Sequence, residues 1–361
     1  MSVQIRQIGN MRLKDIAEKL NVSISTVSRA LGKDTCEKVA PELRDRIVEA
    51  ARQVNYVPHP AAQMMRKPRT QLITALLPLE TSVFVSEFYG AVLSGVVAAS
   101  REWETEIRVA LIDPSDADIL EETRQVALGA GAIFYMAKPL SIRQLIKLEE
   151  LARPIVVMGG SLPAHIDLAD VHVNTISVDN RTASYELTIS LLKLGHRRLA
   201  FINGPAGVRD AWEREQGFFK ALKEYGVSLD PAAMVHETFT TDGGVRGWEQ
   251  LKKCSDRPTA IVCGDDEIAF GVLEALAKDR IDCPHEISIV GFDDSRWAPL
   301  VSPGLTTVRQ PTLEMGRAAV ELLADSLRNP LGENTVAHRV FPVEIVNRQS
   351  VAPPLPSGSD L

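Results

Sequence analysis

Two acidic pairs, Asp265–Asp266 and Asp293–Asp294, are the side chains in this 361-residue sequence whose type and spacing could support acid–base chemistry. Each follows or closes an apolar run, Ala260–Cys263 and Ser288–Phe292, that reads as a buried strand, so both pairs fall at strand carboxyl ends. There Asp266 suits the N-cap of a following helix, and Asp265 and Asp293 suit acceptors for ligand hydroxyls. No nucleophile–base set accompanies them. The seven histidines are scattered without metal spacing, and Cys36, Cys254, Cys263 and Cys283 form no C-x-x-C pair, so they read as reduced thiols. No P-loop is present and no G-x-G-x-x-G follows a strand; Gly129–Gly131 reads as a helix-to-strand turn rather than a phosphate cradle. The pattern points to binding rather than catalysis, with no catalytic residue, metal or cofactor expected.

Elements that could position these acids come as two kinds of segment. Residues 1–70 carry thirteen Lys/Arg against seven Asp/Glu, whereas the rest of the chain is acidic within a formal net charge of −7. A small basic head on a large acidic body suggests that the head meets a polyanion. Within the head, Leu13, Ile16, Ala17 and Leu20 share one helical face, and Asn21 follows where a tight turn needs a residue that tolerates positive φ. Ser23 is placed to cap a second helix from Ile24 to about Leu31, with Val27, Ala30 and Leu31 inward and Ser25, Ser28 and Arg29 pointing elsewhere. Small Ala17 permits the close approach of a steep crossing. A third helix follows from about Pro41, with Leu43, Ile47, Ala50, Ala51 and Val54 as its stripe. This is a helix-turn-helix pattern.

In the body, Leu72–Leu77, Ile107–Ile112, Ala132–Met136 and Ile155–Met158 read as strands separated by helical patterns. The alternation repeats at Leu199–Asn203, Val235–Glu237, Ala260–Cys263 and Ser288–Phe292, which suggests two doubly wound parallel-sheet subdomains. With 45% hydrophobic and 24% charged residues the chain can bury ample core. No apolar run approaches the ~18–20 residues of a membrane span, and Met1–Asn10 has no apolar stretch of signal-peptide type, so a cytosolic protein is expected.

Several motifs, agreeing in order and spacing over about residues 12 to 350, resemble the lactose/galactose (LacI/GalR) repressor family. They are V-S-I-S-T-V-S-R-A-L (Val22–Leu31), E-A-A-R-Q-V-N-Y-V-P (Glu49–Pro58), M-M-R-K (Met64–Lys67), V-D-N (Val178–Asn180), L-G-H-R-R (Leu194–Arg198), V-G-F-D-D (Val290–Asp294) and L-T-T-V-R-Q-P (Leu305–Pro311). The resemblance implies an all-α helix-turn-helix DNA-binding head and an α/β periplasmic-binding-protein-like core. Its expected organisation is an extension over 1–10 read as disordered, the head over 11–58, a hinge helix and linker over 59–70, the core over 71–350 and a flexible tail over 351–361. Within the core, one subdomain would take about 71–177 and 308–339 and the other about 178–307 and 340–350, with crossovers near Ser177, Thr307 and Val340.

The implied function is a sequence-specific transcriptional regulator, usually a repressor, acting as a homodimer on a pseudo-palindromic operator under a small-molecule effector, commonly a carbohydrate. The second helix would enter the major groove with Ser25 and Arg29 on base edges, Ile24 on a thymine methyl, and Ser23, Thr26 and Ser28 completing the DNA contact set. In the hinge, Ala62 would let two copies approach, Met65 matches the position that wedges between base pairs, and Arg66 belongs to the basic linker. For the effector, the resemblance assigns Phe84 and Val85 after the first strand, Arg214, Phe239 as a stacking aromatic, Asp265, Asp293 and Gln310. His196, in the G-H motif, is expected to make a structural hydrogen bond. The sequence departs from the family pattern at Ala40 and His59, where capping residues are usual, and at Gly159, where an aspartate is frequent. The alternatives are a solute-binding protein, disfavoured by the basic head, and a Rossmann-like enzyme, disfavoured by the missing cofactor fingerprint.

Overall fold

The computed structural model describes residues 13–31, 38–53, 72–79, 84–112, 121, 123, 129–151, 153–328 and 336–355. They belong to two compact units, one ending at Arg69 and one beginning at Thr70. The hinge segment with Ala62, Met65 and Arg66 lies outside the described residues.

The head holds three helices, α1 (Leu13–Leu20), α2 (Ile24–Ala30) and α3 (Pro41–Gln53). Helix α1 ends where Asn21 turns left-handed at φ 52°, with Val22 N donating to Ala17 O at 3.0 Å and Asn21 N to Glu18 O at 3.2 Å. This pair of bonds satisfies carbonyls that the last turn would otherwise leave open. Ser23 caps α2 by accepting from Thr26 N at 3.1 Å. Ile16, Ala17, Val27, Ala30, Ile47, Ala50 and Ala51 form a closed miniature core. Ser28 corrects the outward placement expected for it: it is buried, and its hydroxyl meets no hydrogen-bond partner among the described residues. At 100° per residue Ser28 sits only about 60° round the helix from Leu31, at the margin of the inward face.

The body begins with β1 (Leu72–Pro78), α4 (Glu87–Glu102), β2 (Glu106–Ile112), β3 (Ala132–Tyr135), α5 (Ile142–Glu149), β4 (Ile155–Met158) and β5 (Asn174–Val178). It continues with α6 (Asn180–Lys193), β6 (Leu199–Asn203), α7 (Arg209–Glu224), β7 (Met234–His236), α8 (Thr241–Leu251), β8 (Ala260–Cys263), α9 (Asp266–Asp279) and β9 (Ser288–Val290). The last elements are β10 (Thr307–Arg309), α10 (Thr312–Arg328), β11 (His338–Phe341) and β12 (Glu344–Val346).

Two parallel sheets result, ordered β11-β5-β4-β3-β1-β2 and β7-β6-β8-β9, with β10 and β12 forming a small antiparallel pair. In β1 alternate residues face opposite sides: Ile73, Ala75 and Leu77 pack with Val92 and Val96 of α4 and Ala319 of α10, and Leu76 packs with Leu145 of α5. In β6, Phe201 packs with Phe218 of α7, whereas Ala200 and Ile202 pack with Trp248 of α8 and Val272 of α9. Both faces of each sheet are covered, as a parallel sheet requires.

Residues 351–355, expected to open a flexible tail, are instead tied to the second sheet: Ala352 N donates to Ser288 Oγ at 3.0 Å, and its carbonyl accepts from His196 Nε2 at 2.9 Å. His196 is thus structural, and burial holds its imidazole below the ordinary histidine range.

Helix α7, which carries Arg214, is seated against α6 at Gly217, where a Cβ would fall 2.2 Å from Arg181 O. Gly217→Ala is therefore expected to lower stability by ~1–3 kcal/mol through overpacking, read as a lower urea midpoint with unchanged slope. An unchanged midpoint would show that α6 and α7 separate freely.

Candidate functional site

In their own chain sequence the strands are ordered 2-1-3-4-5-6 in the first sheet and 2-1-3-4 in the second, which opens a crevice at the carboxyl ends where each order reverses. In the second sheet that crevice is bounded by Asn203–Gly204 after β6 and Gly264–Asp265 after β8. Arg214 projects from α7 into this neighbourhood. It is only 4% exposed, and its Nε donates to Asn180 Oδ1 at 2.8 Å and its Nη1 to Gly264 O at 2.5 Å. The guanidinium lies 3.7 Å over the Phe292 ring and 6.0 Å from that of Phe239. Phe239, partly exposed, rests the tip of its ring against Gly204, where a Cβ would stand 2.0 Å from Cζ. Gly204 is what allows the ring to sit there.

At the β8 end the N-cap role expected of Asp266 falls to Asp265. Asp265 is the N-cap of α9, its Oδ1 accepting from Ile268 N at 2.8 Å. Asp266 occupies the first helical position and accepts from Thr307 Oγ1 at 2.5 Å and Ser295 N at 2.8 Å. The strand run stops at Cys263, so the chain leaves β-geometry one residue earlier than a cap at Asp266 would need. Burial, with the charge of Asp293 nearby, pushes the Asp266 carboxyl up to about 8, and raises Asp265 well above the carboxylate range.

Asp293 and Asp294 form a turn in which both residues hold positive φ, 128° and 54°. Asp293 Oδ1 accepts from Gln310 Nε2 at 2.5 Å, which places Gln310, buried at the end of β10, beside it. Burial raises the Asp293 carboxyl to about 6, opposed by the charge of Arg214 and the bond from Gln310, with Asp210 and Glu267 adding like charge. Asp294 bonds Arg309 Nε at 2.7 Å and Arg348 Nη2 at 2.5 Å, clamping two segments that pass between the subdomains.

The structure therefore brings together Arg214, Phe239, Asp265, Asp293 and Gln310. Phe84 and Val85 lie on the turn entering α4, 69% and 82% exposed. Gly159 leaves no room for the aspartate frequent in the resembling family, since a Cβ there would lie 2.6 Å from Ser177 Cβ. Two residues that sequence reasoning missed complete the group. Asn180, fully buried in the V-D-N motif, donates from Nδ2 to Asp210 Oδ1 at 3.1 Å while holding Arg214. Asp210 precedes Arg214 by four residues on α7, and that i,i+4 spacing was the available signal.

Both subdomains meet at the cleft. Arg296 N, beyond β9, donates to Glu87 Oε1 at the start of α4 at 2.7 Å, and Arg209 Nη1 donates to Ile166 O at 2.6 Å. A cavity of about 200 Å³ lies beside the first crossing, lined by Gly159, Ser177, Asp179, Arg181, Arg209 and Glu213 among others.

In the head, Ser23, Ile24 and Ser25 are exposed at the start of α2 and Arg29 is exposed in its last turn, while Thr26 is half-buried. Ser23 Oγ lies 2.7 Å from Ser25 Oγ and 2.8 Å from Thr26 Oγ1, so these hydroxyls already form one polar group at the helix start.

Comparison with known proteins yields two family matches: residues 12–59 to the bacterial regulatory proteins of the lacI family, and residues 189–351 to the periplasmic binding protein-like domain. The chain is 30% identical over 319 residues to the HTH-type transcriptional repressor CytR of Escherichia coli (strain K12), covering 88% of this chain and 89% of that protein. It is 29% identical over 320 residues to the ribose operon repressor of Haemophilus influenzae, covering 88% and 92%. Among solved structures it is similar to the lac repressor dimer bound to operator and the anti-inducer ONPF, with TM-score 0.80, 20% identity and coverage of 95% and 99%. A cellobiose complex of the transcriptional regulator CelR is similar with TM-score 0.70, 26% identity and coverage of 94% and 99%.

A carboxyl whose folded pKa is raised stabilises the fold in its protonated form, and that contribution is lost as pH rises through the folded pKa. Asp293→Asn, which keeps an oxygen for Gln310 but cannot ionise, is expected to gain stability relative to the parent between pH 4 and 7. Thermal melts across that range check the sign; a difference independent of pH would show Asp293 titrating as an ordinary surface acid.

Proposed function

The chain belongs to the lacI family of bacterial regulatory proteins, and from that premise we propose that the cleft around Arg214 is where its effector binds. The protein is a sequence-specific DNA-binding transcriptional regulator whose operator affinity is set by a small molecule. Proteins of this family are transcriptional regulators rather than enzymes. Among the described residues no helix is long and apolar enough to cross a membrane, and the reading puts the protein in the cytosol as a homodimer on a pseudo-palindromic operator.

The observation that carries the effector site is Arg214: a guanidinium buried beside a crevice at strand ends, with Asp265, Asp293, Gln310 and a partly exposed aromatic gathered around it. Its Nη2 makes no bond among the described residues and is left for a ligand oxygen. Such a site suits a polyhydroxylated ligand, with acceptors on two carboxylates and a donor on the guanidinium. Ribose and cellobiose, named for two of the relatives, are of this type. Phe84 and Val85, exposed in this arrangement, would join the pocket only if the loop moved inward.

For DNA, Ser25 and Arg29 are assigned to base edges, Ile24 to a thymine methyl, and Ser23 and Thr26 to phosphate. Ser28 is left out, because its side chain is buried in the head. Ala62, Met65 and Arg66 are assigned to the hinge that packs in pairs in the minor groove, with Met65 as the wedge.

Two experiments test the reading. Arg29→Ala is expected to cost ~1–3 kcal/mol at one operator base pair and to relax preference there, measured by competition binding on operator variants. Equal weakening on every sequence would make Arg29 a phosphate contact. Arg214→Ala is expected to leave operator affinity of the free protein intact and to lose ~1.5–3 kcal/mol of effector binding. Retained ligand-induced thermal stabilisation in that variant would remove Arg214 from the pocket.

A further inference from the structure

We infer that the two subdomains are interlocked at one flank of the cleft and only latched at the other, so that the cleft opens at Glu87 and Ser295 while the start of α7 stays seated. The motion itself needs no assignment of a ligand site. Its bearing on regulation rests on reading the Arg214 cleft as the effector site.

The seated flank is the segment that follows β4. It belongs firmly to the first subdomain: Ser161 Oγ donates to Ala137 O at 2.7 Å, Leu140 N donates to Ser161 O at 2.9 Å, and Leu162 is buried. The same segment grips the first turn of α7 in the second subdomain. Pro163 pairs with Val208 in an antiparallel bridge, Arg209 Nη1 donates to Ile166 O at 2.6 Å, and the rings of His165 and Trp212 meet edge-on at 4.9 Å. Gly160 lets Asp210 come close, since a Cβ there would stand 2.8 Å from its Oδ2. Arg209 is buried and also held by Glu213, Nε to Oε1 at 2.9 Å. Drawing α7 off this segment would forfeit a charge-assisted bond made in a dry place, together with the ring contact beside it.

The latched flank is joined by Arg296 N donating to Glu87 Oε1 at 2.7 Å. Closing this contact leaves two polar atoms sealed from water without a hydrogen-bond partner, Glu87 Oε2 on the first subdomain and Ser295 Oγ on the second. The cation that could serve Glu87 is drawn aside. Arg296 Nε stands 4.0 Å from Oε2, beyond hydrogen-bond reach, while its guanidinium lies 4.7 Å over the ring of Trp297. Ser295 N donates to Asp266 Oδ2 at 2.8 Å, so this segment stays with the second subdomain when the contact parts. A sealed polar group without a partner carries its full desolvation penalty, and opening the latch returns both groups to water. Among the described residues, none that makes the seated flank carries such an atom. A ligand that bridges the cleft therefore holds shut a latch that resists closing, and turns the subdomains about the start of the helix that carries Arg214.

The test follows hydrogen exchange at the Arg296 amide in the full chain without ligand, resolved by fragment mass spectrometry. In the parent this amide is expected to exchange ~10-fold or more faster than global unfolding allows. Ser295→Ala, which removes the sealed hydroxyl, is expected to slow that exchange ~5-fold or more, because closing then seals one polar atom fewer. Glu87→Gln, which keeps an oxygen for Arg296 N and takes the carboxylate out of the sealed place, is expected to slow it as well. Pro163→Cys combined with Val208→Cys places thiols on a facing bridge pair whose Cα spacing suits a disulfide. That pair is expected to crosslink on oxidation and to leave exchange at Arg296 unchanged, since its flank does not part. Exchange at Arg296 through global unfolding alone, exchange unchanged or faster in either single variant, failure of the pair to crosslink, or slower exchange once it is crosslinked overturns the inference. No arm involves a ligand or Arg214, so the reading of the cleft as the effector site stands or falls separately, on Arg214→Ala.

Discussion

A guanidinium almost wholly removed from water has to be paired, and around Arg214 the pairing organises the second subdomain. Its two bonded partners come from different elements: Asn180 opens α6 just after the first crossing, and Gly264 lies at the end of β8. The flat face is covered by Phe292 from the segment after β9. Breaking any one of these would strand a buried charge or a buried amide, which costs far more than a surface contact returns. The carboxyl groups of Asp210, Asp265 and Asp293 are each raised by burial, and the charge of Arg214 opposes that rise. Close packing of α7 on α6 at Gly217 and of Phe239 on Gly204 are the steric conditions under which the arrangement fits.

The turn at Asp293 and Asp294 connects that cluster to the connections between subdomains. Two successive non-glycine residues at positive φ cost of the order of 1–3 kcal/mol each, and such a conformation persists only when its surroundings over-determine it. Here they do: Asp293 N donates to Val308 O at 2.7 Å, and Asp294 bonds both Arg309 and Arg348. Arg309 Nη1 also donates to Glu344 at 2.9 Å, joining β10 to β12. One face of the turn thus touches the Arg214 cluster and the other grips two of the crossing segments. A ligand that bonded Asp293 would act on the residue whose neighbour holds these two crossing segments.

Periodicity made most of this fold legible, and it failed where segments are short or where two adjacent residues compete for one role. Strands β6 and β8 appear with the expected limits, because continuous apolar runs bounded by polar turns admit little else. Strands β5, β10, β11 and β12 carried no comparable signal: each has three to five residues, and β10, β11 and β12 include exposed positions such as Arg309 and Val340. Pattern reading could not decide which of Asp265 and Asp266 caps α9, since that depends on where the chain leaves β8 by a single residue. Ser28 failed for a related reason, because a helix of seven residues has a margin as wide as its faces. Arg214, Asp265 and Asp293 were legible through family resemblance, whereas Asn180 was not, since its importance lies in contacts with residues 30 or more positions away.

How such a cleft controls DNA binding is a question of differential affinity. A ligand shifts an equilibrium between arrangements only by as much as it prefers one of them, and moving a population from 1:99 to 99:1 takes about 10⁴-fold preference. The bonds that cross the cleft here, Arg296 to Glu87 and Arg209 to Ile166, belong to one arrangement of the subdomains and are lost or remade in another. The first is weak, since Arg296 is an exposed side chain whose ion pair with Glu87, at 4.0 Å, is worth little, whereas the second is joined by the Pro163–Val208 bridge and the edge-on contact of His165 with Trp212 at 4.9 Å. A bound ligand adds to any preference through the groups it touches on both sides at once. On the second subdomain those groups are fixed, since Arg214 and Asp293 are each held by neighbours that cannot move independently. The first subdomain therefore supplies the adjustable side of the cleft. Its loop entering α4, where Phe84 and Val85 stand 69% and 82% exposed, has apolar surface that closing on a ligand would bury.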